Sequence, residues 1–153
     1  MIHLGTKELE TDRLKLRKFE LTDVEAVYDN WANDSDVTKY LMWPTHTDVG
    51  VTSSVLSEWV NRYNDDTFYQ WAIVLKSNGS DPVGSISIVK MDDGIEMVHV
   101  GYCIGKKRWH QGITSEALSE LIRFFFEEVK VNRVESRHDT KNPNSGKVMK
   151  KCG

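Results

Sequence analysis

Only two cysteines, Cys103 and Cys152, occur in the 153 residues, too few for a disulfide framework and without the spacing of a zinc site. No stretch reaches the apolar length that a membrane-spanning helix needs. Charge of one sign is scarce too: the formal net charge is −3, which argues against direct, non-specific binding to nucleic acid. The opening residues Met1, Ile2, His3, Leu4 and Gly5 do not read as a secretory signal, so a reducing cytoplasm is the expected location. Internal repeats, low-complexity tracts and long linkers are missing. So are the GxxxxGK[ST] loop of triphosphate binding and the GxGxxG of a dinucleotide fold. What is present, with 39% hydrophobic residues, suits one domain over 1–153 whose core requires neither metal nor disulfide.

Periodicity supplies the elements. Leu14 and Leu16 alternate with Lys15 and Arg17, which predicts a strand over 13–18. Thr22 and Glu25 have the spacing of a capping box, ahead of a helical stripe of Leu21, Val24, Val27, Tyr28 and Trp31. Asn33 to Asp36 break that helix, and the loop beyond carries Tyr40, Leu41, Met42, Trp43 and Pro44. Asp48 opens a second helix with Val51, Val55, Leu56, Trp59, Val60 and Tyr63 on its inner face. The period then becomes two. Strands are expected over 68–75, 83–90 and 95–104, and the short turns between them imply an antiparallel meander. A helix over 113–129 buries Ile113, Ala117, Leu118, Leu121, Ile122, Phe125 and Val129, and a strand over 133–138 returns parallel to 95–104. Asn142 begins a last helix. The fold class is α+β: three layers, helices on both faces of a mixed, mostly antiparallel sheet.

Residues 98–118, VHVGYCIGKKRWHQGITSEAL, organise the rest. A strand ends at Gly105, Lys106, Lys107, Arg108 and His110 crowd a turn, and Gly112 opens a helix. The first N–H groups of a helix have no partner within it, and its dipole adds partial positive charge there. A glycine beside those donors lets a phosphate approach the backbone closely. The pattern points to an anion site, with a diphosphate as the expected occupant; an ordinary strand–turn–helix with solvated lysines satisfies the local features as well.

These residues carry a family resemblance. His99-Val100-Gly101-Tyr102-Cys103-Ile104 followed by Trp109-His110-Gln111-Gly112-Ile113-Thr114-Ser115-Glu116-Ala117-Leu118 resembles the acyl-CoA-binding motif of the GCN5-related N-acetyltransferase (GNAT) superfamily. The resemblance is greatest to the RimJ/RimL-like branch of ribosomal-protein N-terminal acetyltransferases. Leu9-Glu10-Thr11-Asp12-Arg13-Leu14-Lys15-Leu16-Arg17 is similar to that branch's "L-x-T-x-R-L-x-L-R", and residues 142–153 to its "N-x-x-S-x-x-(V/L)-x-x-K-x-G". Thr114 stands where Gly or Ala is usual, His110 where Gly is frequent, and His99 where Glu is frequent. In the family an aromatic residue and a closing pair of strands follow the last motif. The resemblance therefore implies a C-terminally short domain, lacking its last strand pair, with an open sheet that a second copy of the chain can complete.

What the resemblance implies is acetyl transfer from acetyl-CoA to an amine. The diphosphate would sit on backbone N–H groups of Gln111, Gly112, Ile113 and Thr114, with Trp109 and His110 in the same turn and Lys106, Lys107 and Arg108 reaching the outer phosphate. Val100, Gly101, Tyr102 and Cys103 would bond the pantetheine arm through their main chain, and Asn142 its amide. Ser145 would protonate the leaving thiolate. An amine attacks only when neutral, so a base is required. An imidazole titrates near neutrality, so His99 is the favoured base. Glu96, acting through water, is the other candidate. On a regular strand the two face opposite sides. Trp31, Tyr40 and Trp43 are placed toward the acceptor. The acceptor stays open between a protein N-terminal amine and a small amine such as a polyamine or aminoglycoside. So do a non-catalytic acyl-CoA-binding domain and an inactive fragment. No metal is expected.

Overall fold

The computed structural model describes residues 1–35, 45–108 and 111–136. Among the described residues six strands form one sheet in chain order: β1 (Leu9–Glu10), β2 (Leu14–Arg17), β3 (Gln70–Leu75), β4 (Pro82–Asp92), β5 (Met97–Ile104) and β6 (Arg133–Ser136). Neighbours are antiparallel from β1 to β5, and β6 lies parallel to β5. The antiparallel meander and the parallel return are thus as the turn lengths and the intervening helix required. The fold is α+β, with helices on both faces of a mixed sheet.

Alternation along the strands divides the interior in two. Leu14, Leu16, Trp71, Ile73, Ile86, Val98 and Val100 face helix α3 (Ile113–Phe124) and pack on its Ile113, Ala117, Leu118, Leu121 and Phe124. Ala72 and Cys103, one step out of phase, face the other side with Phe19, Val27, Trp31, Ala32 and Leu56. That second layer consists of α1 (Val24–Val27), a π-helical turn over Tyr28–Ala32, and α2 (Val49–Arg62). At the end of α3 another π-helical turn, Phe125–Val129, follows directly on Phe124. Both phenylalanines are buried, meeting Trp71 edge-on at 5.8 and 6.1 Å between centroids, while Phe125 meets Tyr69 at 4.9 Å. Each such pair adds about 1 kcal/mol beyond the burial of its area.

Several local expectations are corrected. The first capping box lies two residues earlier than Thr22 and Glu25: Glu20 is the N-cap and Asp23 answers it, accepting the Glu20 N–H at 2.8 Å. Leu21 is consequently turned outward, and so is Val51, whose place on the inner face of α2 is taken by Thr52. Asp48 does cap α2, accepting from the N–H groups of Gly50 and Val51. The strand expected from residue 95 begins at Met97. Ile95 is exposed, and Glu96 has a φ of 52°, a left-handed conformation incompatible with a strand.

Candidate active site

β5 ends at Ile104 and leads into a short 3-10 turn, Lys106–Arg108. Gly105 N–H bonds the Val83 carbonyl at 2.8 Å, and Arg108 N–H bonds the Gly105 carbonyl at 2.9 Å, so the chain turns sharply off the sheet. Lys106 and Lys107 are exposed and Arg108 half-buried. Gly112, the N-cap of α3, has a φ of 75°, which only glycine adopts at little cost. It brings no side chain to cap the helix. Ile113 and Thr114 are buried beneath it.

The turn is braced from a distance. Glu116, in the first turn of α3, accepts hydrogen bonds from the Thr11 hydroxyl, from Arg13 N–H at 3.0 Å and from Arg13 Nε at 2.7 Å. Arg13 Nη1 donates to the Gln111 carbonyl at 3.0 Å, and the Gln111 side chain donates to the Lys107 carbonyl at 3.2 Å. Burial raises the Glu116 carboxyl, but the bonds from Thr11 and Arg13 outweigh it and hold the group below its ordinary value. Two stretches that the sequence singled out separately, around Thr11 and around Glu116, are therefore one contact.

On β5, His99, Gly101 and Cys103 share the face opposite α3. Gly101 lies across from Ser87 and Cys103 from Ser85, so a strip of small side chains crosses β4 and β5. The register slips between Ile88 and Lys90, a β-bulge at Val89, and His99 pairs with Lys90 beyond it. A Cβ on Gly101 would come within 2.8 Å of a Val89 methyl group, so the residue must be small. On its other side His99 pairs with Glu135, with His99 Nδ1 3.9 Å from Glu135 Oε2. The carboxylate also takes Arg133 at 2.7 Å. Pairing with β6 extends to Val100 opposite Ser136, whose hydroxyl donates to the Val100 carbonyl at 3.0 Å, and β5 runs on to Ile104.

The candidates from the sequence thus separate. Along the path from strand to helix, Val100, Gly101, Tyr102 and Cys103 lie on β5, Lys107 and Arg108 in the 3-10 turn after it, and Gln111, Gly112, Ile113 and Thr114 at the start of α3. His99 stands at the start of that path. Glu96 does not share it: its carboxylate takes the Met1 ammonium at 3.3 Å, and its carbonyl accepts from Asn132 and Arg133. Trp31 is 1% exposed and packs against Phe19, a core position. Burial pushes the Cys103 thiol up, away from a nucleophilic thiolate. Tyr40, Trp43, Trp109, His110, Asn142 and Ser145 lie outside the described residues. Glu135 was missed, although strand parity plus a parallel return across α3 would have set it beside His99. A surface hollow lies near β2, but its lining balances Lys7, Arg17 and Lys18 against Glu8, Glu20 and Asp66, so it offers no preference for an ion of either sign.

Comparison with known proteins agrees with this geometry. Residues 13–153 match the family described as "Acetyltransferase (GNAT) domain", and the chain belongs to that family. It is an acetyl-CoA-dependent N-acetyltransferase. It is 28% identical over 141 residues to "Uncharacterized N-acetyltransferase p20" of Bacillus licheniformis, covering 92% of this chain and 78% of that one. A crystal structure of a GNAT-family acetyltransferase from Bacillus anthracis superposes with a TM-score of 0.82 at 27% identity, covering 96% of this chain and 82% of that one. The ribosomal L7/L12 N-terminal acetyltransferase RimL, solved in complex with coenzyme A, shares the fold with a TM-score of 0.82 at 17% identity, over 95% of this chain and 82% of that one.

Proposed function

We propose that the chain acetylates the α-amine of a protein N-terminus, as the RimJ/RimL-like branch does, by direct attack on acetyl-CoA in a ternary complex. The observation that carries the mechanism is His99 beside Glu135, on the sheet face opposite α3 that it shares with Gly101 and Cys103. Motif order supports the branch, with Leu9-Glu10-Thr11-Asp12-Arg13 and the 99–118 segment both in place. Coenzyme A lays its diphosphate on the Gly112 turn and its pantetheine along Gly101 to Cys103, since the Val100 carbonyl is already taken by the Ser136 hydroxyl. The amine nitrogen attacks the thioester carbonyl carbon and its proton passes to the His99 imidazole, directly or through one water. Glu135 offsets the positive charge that the imidazole gains. The C–S bond then breaks, and the thiolate takes a proton, a role that the motif assigns to Ser145.

The test is thiol release from acetyl-CoA with peptides of free N-terminus, N-formylated peptides, spermidine and an aminoglycoside as acceptors. Free peptides should turn over and formylated ones should not, and His99→Gln should lower kcat by about 10²–10⁴ at neutral pH. Turnover of the small amines alone would replace this acceptor class. Coenzyme A binding without turnover of any acceptor would make the chain a binding domain.

A further inference from the structure

The clamp joining Thr11, Arg13 and Glu116 carries a consequence for donor binding, and it rests on the placement of the diphosphate at the Gly112 turn. A carboxylate in the first turn of a helix suits the helix dipole but repels an anion bound at the same N–H groups. Glu116 occupies that position, its N–H bonded to the Gly112 carbonyl at 3.1 Å. Its carboxylate is held by Arg13 and Thr11, and Thr11 is itself fixed because its hydroxyl accepts from Leu14 N–H at 3.1 Å. Arg13 also grips the Gln111 carbonyl. A trans peptide is planar, with the carbonyl of one residue and the N–H of the next pointing opposite ways. Drawing the Gln111 carbonyl toward Arg13 therefore turns the Gly112 N–H away from Arg13. One guanidinium thus neutralises the adverse carboxylate and aims a phosphate donor.

We infer that Arg13, with Thr11, is a positioning residue for the acyl donor: it sets the Gly112 peptide and holds Glu116 back from the diphosphate. Calorimetric titration of the full chain with coenzyme A and with 3′-dephospho-coenzyme A tests this. Arg13→Ala should weaken both ligands by about tenfold, the loss expected when a charged group's hydrogen bonds are removed. The two losses should be equal, because both ligands keep the diphosphate. Adding Glu116→Gln to Arg13→Ala removes the released negative charge and should recover the part of the affinity lost to repulsion, leaving the part lost with the Arg13 bond to the Gln111 carbonyl. That rescue separates positioning from mere support of the fold, since the double variant has no more of the clamp than the single one. Unchanged affinity in Arg13→Ala, a loss confined to coenzyme A, or the absence of rescue each overturns the inference. Arg13→Lys, which keeps the charge without the fork, provides a second variant and should fall between the wild type and Arg13→Ala. If the wild-type chain binds neither ligand, it is the placement of coenzyme A that fails, a result distinct from the others.

Discussion

Two glycines at the margins of the β3–β4–β5 meander separate two reasons for having no side chain. Gly84 lies in β4 opposite Ile104, and a Cβ there would stand 2.4 Å from the Cys103 carbonyl oxygen and 3.0 Å from Ile104 Cα. Both are backbone atoms of a paired strand, so no side chain can rotate to relieve the contact. Restoring an ordinary separation requires β4 and β5 to part by about 1 Å. Overpacking of this kind costs about 3 kcal/mol, and Gly84→Ala should lower the unfolding midpoint by about 6–12 °C. Gly79 has the opposite character: its φ is 76°, but nothing lies within 4 Å of a built Cβ. Gly79→Ala should then cost only the backbone conformation, which at ψ −137° is one that glycine alone enters readily, about 2 kcal/mol or about 4–8 °C. Thermal and urea unfolding of the two variants, side by side, is the assay. A Gly84→Ala variant no less stable than Gly79→Ala would refute the steric argument. Gly84 also follows Val83, whose carbonyl takes the Gly105 N–H where the chain turns off the sheet. The same variant should therefore lose coenzyme A affinity, and Gly79→Ala should keep it.

Other outcomes follow from single interactions. Burial lowers the pKa of His46, which bonds the buried Thr52 hydroxyl at 2.6 Å. The folded state thus resists protonation, and stability present above the ordinary value of 6.5 should decline as pH falls below it. Unfolding midpoints at pH 7.5 and 5.5 should show that decline in the wild type and a smaller one in His46→Gln. Glu116 behaves as a lowered carboxyl, so its stabilisation is present above its ordinary 4.5 and disappears as pH drops through the folded value; Glu116→Gln should flatten the acid limb of the stability profile. Arg17 and Asp23 form a two-point ion pair at 2.8 and 2.9 Å, mostly out of solvent. Asp23→Ala should cost about 3 kcal/mol by denaturant titration, whereas removing exposed Glu127 from Arg123 should cost under about 1 kcal/mol.

The architecture was legible because its causes are local. Alternation of apolar residues in β2 to β5, short turns and one long amphipathic helix leave few topologies open. Errors arose where a tertiary contact chose between near-equal local options. Thr22 and Glu25 have the spacing of a capping box, but Asp23 bonds Arg17 and Glu20, which moves the box upstream. Glu96 reads as strand by neighbourhood, yet a contact with Met1 and a positive φ put it in a turn. Within the site, the strand–glycine–helix path was visible as a change of period at Ile113. Glu135 and the role of Arg13 were not, because each depends on a partner 36 or more positions away in the chain.

The clamp itself has a bearing on how the molecule comes into being. Thr11 and Arg13 touch residues about a hundred positions later, with sequence separations of 105 and 103 to Glu116. A loop of that length must close before the donor turn acquires its shape, and non-local closures of this sort are late and slow. During synthesis the N-terminal strand pair has to wait, unanchored on this side, until α3 has left the ribosome. Capacity to bind acetyl-CoA should accordingly appear in the last step of folding, all at once, and serve as a sensitive report of native topology.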